Sequence, residues 1–259
     1  MEERRDIIKK ALAAGILFIL ILTAVAVVLR YNEEGEENMP FEISKILIVS
    51  TAIGDETNIS ITDTEYEVIQ NNGIHIDIKK NDNYQKEAII KSVEISNIKF
   101  IKEPQKGKLN IYIPNTTENK KFTYSDDFIL DADSLEYKGA SKNDTTSLEI
   151  NNQGGMLMFA IGNKELGKYE LTQDNEVTLD GTMLKGIDVS KEELEFTVNF
   201  DIIINTESNS FKSNITLELP VGNLIEDGTG SIEITDTDKY VFKRIWTKRD
   251  VYFWFICPF

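Results

Sequence analysis

Between Tyr31 and Asp238 the chain has no arginine, no cysteine and no tryptophan, and it has a single histidine. Without arginine, phosphoryl transfer that leans on a guanidinium clamp is excluded from this stretch. Without cysteine, so are thiol nucleophiles, disulfides and cysteine-rich zinc sites, and one histidine cannot build a multi-histidine site. The only cysteine, Cys257, has no partner in the chain, so an exported fold would have to hold without a disulfide. With over 200 residues, such a fold can bury enough core to do so. The absence of tryptophan removes the usual sugar-stacking platform of a glycosidase. No G-x-S-x-G elbow occurs. These absences leave no catalytic residue and no required cofactor to nominate.

His75 is the one residue on which a serine-type triad would have to draw. It sits in "GIHIDIKK", where Ile74, Ile76 and Ile78 alternate with His75, Asp77 and Lys79. On a strand this alternation places the isoleucines on one face and the histidine on a solvated polar face.

Charge is uneven. The whole chain carries a formal −16, but residues 31–238 hold 18 basic and 40 acidic groups, a net of −22. A body this acidic repels phosphate backbones, so nucleic acid is not an expected partner. The basic groups gather at the two ends: five against three acids in residues 1–30, and five against one in 239–259.

Long apolar runs are scarce too, with one exception. Ala11 to Leu29 contains no charge and no proline, and follows Arg4, Arg5, Lys9 and Lys10. At about 1.5 Å per residue it makes a helix of roughly 28 Å, close to hydrocarbon thickness. It has no polar face beyond Thr23. The expectation is a signal anchor: residues 1–10 a cytoplasmic stub, 11–30 a transmembrane helix, 31–40 a polar tether, and the rest outside. Ala11, Ile16, Leu17, Phe18, Leu20, Leu22, Val27 and Leu29 would contact lipid. The competing reading is cleavage after Ala26, since Ala24 and Ala26 have the small-residue spacing that a signal peptidase uses. Val27, Val28 and Leu29 continue the apolar run past that point and favour retention.

From residue 41 on, alternation with a period of two dominates. In "ELEFTVNFDIIIN", Leu194, Phe196, Val198, Phe200, Ile202 and Ile204 share one side. In "FKSNITLELP", Phe211, Ile215, Leu217 and Leu219 do, and "TESNS" between the two runs has hairpin length. Further strands are expected at "KILIVST", "GIHIDIK", "AIIKSVEISNIKF", "KLNIYI", "SLEIN", "MLMFAIG", "KYELT", "SIEIT" and "YVFKRI". "GGMLMFAIG", apolar on both faces, reads as a central strand between layers or as a buried edge. "NNG", "EPQKG", "PNTTENKK", "LDG" and "EDGTG" read as turns, and "KNDNYQKEA" as a short helix. Strands with one apolar face need a second sheet to cover them, so the fold class is all-β: a β-sandwich of about ten strands over 41–245. A split into two lobes near "KGASKNDTT" is the alternative. Residues 246–259, aromatic and basic, read as a tail outside the domain, with an interfacial role at lipid as the other reading.

Acid pairs spaced by one residue occur at Asp63/Glu65, Asp131/Asp133 and Asp236/Asp238; from a loop such pairs could chelate calcium, and Asp131, Asp133, Asp236 and Asp238 are the candidates. None extends to a full D-x-D-x-D-G loop. In layout, "RRDIIKK", the apolar segment and "PFEISKILIVST" leading into an acidic β domain, the chain resembles uncharacterised single-pass membrane proteins of low-GC Gram-positive bacteria. That resemblance implies no activity. The expected role is non-enzymatic: an envelope protein whose outer domain binds a protein or envelope component, or is structural. The alternative is an extracytoplasmic hydrolase working through carboxylates or a bound cation.

Overall fold

The computed structural model describes residues 10, 12–25, 39–59, 64–115, 121–139, 148–171 and 181–245. Two six-stranded sheets carry most of this. The first is built on a long hairpin, β1 (Phe41–Ile59) and β2 (Thr64–Lys80), paired in antiparallel register from Phe41↔Lys80 to Ile59↔Thr64. Its order is β13 (Thr229–Ile234), β1, β2, β9 (Gly154–Lys164), β4 (Lys108–Tyr112). The short β10 (Lys168–Leu171) continues along β2 beyond β9. The second sheet runs β14 (Lys243–Ile245), β12 (Ser210–Leu219), β11 (Phe196–Thr206), β3 (Ile90–Lys102), β7 (Ser134–Gly139), β8 (Leu148–Ile150). All pairs are antiparallel except β7 with β8. A two-residue pair, β5 (Pro114–Asn115) and β6 (Lys121–Phe122), lies apart.

The sheets face each other across one apolar layer. The first contributes Ile46, Ile48, Ile74, Ile76, Ile78, Leu157, Phe159 and Ile161; the second Val93, Ile95, Val198, Phe200, Ile202, Ile204, Ile215 and Leu217. Phe159 and Phe200 meet edge-to-face across the layer, ring centroids 5.1 Å apart, a geometry worth about 0.5–1.5 kcal/mol beyond burial. The inward phase expected for β11 and β12 is the observed one. "GGMLMFAIG" lies between β2 and β4, inside its sheet as expected.

β1 and β2 overrun the sandwich at one end. There Ala52, Val68 and Tyr169 form a second small core with α2 (Thr182–Gly186), α3 (Lys191–Leu194) and α4 (Leu224–Asp227). A buried polar row divides the two cores. Ser50 donates to Asn72 at 2.7 Å and accepts from the Val221 N–H at 3.0 Å. Asn72 donates to the Ile161 carbonyl, and Asn163 to the Lys106 carbonyl at 3.0 Å.

Several expectations are corrected. "NNG" is not a turn: Asn71, Asn72 and Gly73 lie within β2, paired with β1 on one side and β9 on the other. Phe122 packs over Gly73 of β2, and Gly162 of β9 leaves room for the Tyr112 ring, which a Cβ there would meet at 2.8 Å. "KNDNYQKEA" is a turn, not a helix. Leu194 belongs to α3 and the second core, since the Ser190–Glu193 capping box starts a helical turn there. His75 is half-buried against Phe122, ring centroids 5.8 Å apart, and not on a solvated face. Burial lowers its pKa from the ordinary value.

At the N-terminus, α1 (residues 12–25) is helical, and its large apolar side chains are 47–67% exposed. Among the described residues, no helix is long and apolar enough to cross a membrane. Ala11, Val27 and Leu29 of the expected span, the stub 1–9, the tether 31–38, most of "KGASKNDTT" and the tail 246–259 lie outside the described residues.

Candidate functional site

Chain that leaves the edge of one sheet and joins the edge of the other builds the most distinctive surface. After β13, residues 235–242 form a strap that crosses to β14. The Thr237 hydroxyl donates to the Ile43 carbonyl of β1 at 2.6 Å, and the Tyr240 hydroxyl to the Thr216 carbonyl of β12 at 3.2 Å. The Tyr240 N–H closes a turn on the Thr237 carbonyl at 2.8 Å. Tyr240 and Phe242 are buried in the main core, so the strap is pinned to both sheets. "YVFKRI" thus becomes a strand only from Lys243, because its first half closes the flank of the sandwich.

Two grooves flank the strap. One, about 500 Å³, is lined by Met39, Glu42, Lys79, Thr237, Asp238 and Tyr240, among others. The other, about 490 Å³, is lined by Lys212, Asn214, Asp238, Lys239, Val241, Lys243, Arg244 and Ile245. The second groove is cationic on an acidic protein. Lys243 of β14 stands directly opposite Lys212 of β12 in the ladder, an arrangement of like charges that destabilises a sheet. The Lys239 ammonium lies 4.8 Å from the centroid of the Tyr240 ring.

Lys212 is held by a polar network on the outer face of the second sheet. Its ammonium reaches Asp201 at 3.0 Å. Asp201 also accepts from Asn97 at 2.7 Å and from Asn214 at 2.8 Å. Asn97, at φ 52°, sits where β3 slips register against β11, and that bulge turns its amide onto the carboxylate. Burial pushes the Asp201 carboxyl up, but the bonds from Asn214, Asn97 and Lys212 together hold it below the ordinary carboxylate value.

The acid pairs nominated from sequence stand apart. Asp131 and Asp133 are exposed beyond the 3-10 turn Asp126–Phe128; Asp236 and Asp238 are exposed on the strap. Among the described residues no three histidine, cysteine or carboxylate side chains gather as a metal site. The described anchor residues, Ile16, Leu17, Phe18, Leu20 and Leu22, are all exposed on α1. Lys212, Lys239, Lys243 and Arg244 were not singled out as a group. The change from acidic to basic composition after Asp238 marks three of them, but Lys212 joins only through the β12–β14 ladder.

Fold and site define a two-sheet β-sandwich with a strapped, cationic flank. No protein family and no curated protein matches the chain. Among solved structures, the yeast GGA1 GAE domain aligns with 65% of this chain and 100% of its own, at 11% identity and a TM-score of 0.19. A similarity this slight bears on neither fold nor function.

Proposed function

We propose that this chain is a membrane-anchored β-sandwich held outside the cytoplasmic membrane, with a non-enzymatic binding or structural role in the envelope. One observation carries the reading: the described apolar side chains of α1 are exposed, while both cores are drawn from residue 39 onward. A helix that contributes nothing to its own domain needs another apolar environment. The described part, 14 residues, rises about 21 Å, and the charge-free sequence continues through Leu29. The basic residues ahead of it favour a cytoplasmic N-terminus.

Tags at the two ends and protease added to protoplasts test the orientation. The expected result is digestion of the rear tag with the front tag shielded. The reverse pattern, or two shielded tags, rules the reading out. Crosslinking through the body in intact cells should then recover an envelope component.

A further inference from the structure

We propose that the cationic groove beside the strap docks anionic phospholipid headgroups of the same bilayer, so that the sandwich lies with this flank against the membrane. The inference rests on the anchored reading above. Three observations lead to it.

The first is charge. Lys212, Lys239, Lys243 and Arg244 line the groove against Asp238, with Asp201 reaching Lys212 from the neighbouring network. Four of the eight residues that line the groove are basic and one is acidic, on a chain whose residues 31–238 carry a net of −22. An anionic leaflet repels the acidic surfaces and attracts this one, over a Debye length of about 8 Å.

The second is the ladder itself. Lys212 and Lys243 are direct cross-strand partners at the sheet edge. Asp201 compensates one of them, and a phosphate in the groove would compensate the other. Val241 and Ile245 give the same groove an apolar side, which suits the boundary between headgroup and acyl chain better than a fully hydrated polymer.

The third is position. Asp238 and Val241 are shared with the neighbouring groove, which Met39 lines. The cationic flank therefore sits beside the point where the chain enters β1. Residues 26–38 separate that point from α1, and a connection of that many residues reaches at most about 45 Å. So short a connection keeps the flank at high effective concentration near the surface.

The test uses the full chain reconstituted in vesicles of phosphatidylcholine alone, or of phosphatidylcholine with about one third phosphatidylglycerol. Amide hydrogen exchange is read at residues 239–245. Exchange several-fold slower in the anionic vesicles is expected, with the difference lost in high salt and in the Lys239→Gln/Lys243→Gln variant. Both lysines are exposed, so that variant should fold, and unchanged exchange in the core strands checks that it does. Equal exchange in the two vesicle types, from chain that resists carbonate extraction, overturns the docking alone. So does protection brought by a soluble polyphosphate in neutral vesicles and not by anionic lipid. Release of the chain by carbonate from both vesicle types overturns the docking and the anchored reading together.

Discussion

At residue scale, Asp201 shows how an acid survives burial in an acidic protein. Three donors on β3 and β12 hold its charge, and the largest opposing effect is the loss of water around it. Asp201→Asn keeps the shape but leaves Lys212 without its carboxylate, and should cost about 1–3 kcal/mol in a urea titration. Because its folded pKa lies below the ordinary 3.8, its contribution is present above that value and lost as pH falls below it. The Asn variant should therefore lose less stability than the parent between about pH 5 and 2. His75 has the same sign in a different window. Burial lowers its pKa, so the unfolded chain takes up the proton first as pH drops below 6.5. Stability falls there, and His75→Gln should flatten that part of the profile between about pH 7.5 and 5.5. The alternation in "GIHIDIKK" placed His75 on the correct face of β2. It could not show that Phe122, some fifty residues away, covers it.

At the scale of elements, strand phase was legible and strand closure was not. The six-fold apolar alternation of "ELEFTVNFDIIIN" dictates which side of β11 is buried, because every second side chain meets the same layer. Its first residues broke the pattern for a local reason, the Ser190–Glu193 capping box. Closure depends on distant groups. β4 pairs with β9 only as far as Ala160, and beyond it the Tyr137 hydroxyl serves Met158, donating to its carbonyl at 2.6 Å and accepting from its N–H at 2.7 Å. Tyr137→Phe keeps the buried ring but strands two backbone groups, and should lower stability by about 1–3 kcal/mol with no change of fold. Chemical denaturation with a circular dichroism spectrum at each end checks both halves of this expectation. The strap is a second case. "SIEIT" and "YVFKRI" each read as strands, and nothing between them says that Thr237 and Tyr240 tie one sheet to the other.

At the scale of the molecule, the separation of α1 from the body makes a direct prediction. Removing residues 1–38 should leave the thermal midpoint of the sandwich within about 2–4 °C of the parent, the shift that 1 kcal/mol brings in a domain of this size. A fall of ten degrees or more would mean that the N-terminal segment packs on the body. The absences read from sequence, the two-sheet all-β architecture and the acidic surface with basic ends follow from composition and local periodicity, because each side chain carries its own polarity and every second one on a strand meets the same layer. The cationic groove, the buried acid at its side and the two separate cores belong to the tertiary structure alone. They depend on Lys212 meeting Lys243, Asn97 meeting Asp201 and the second core closing over the overrun of β1 and β2. Pairing across long stretches of chain decides such meetings, and no local pattern encodes them.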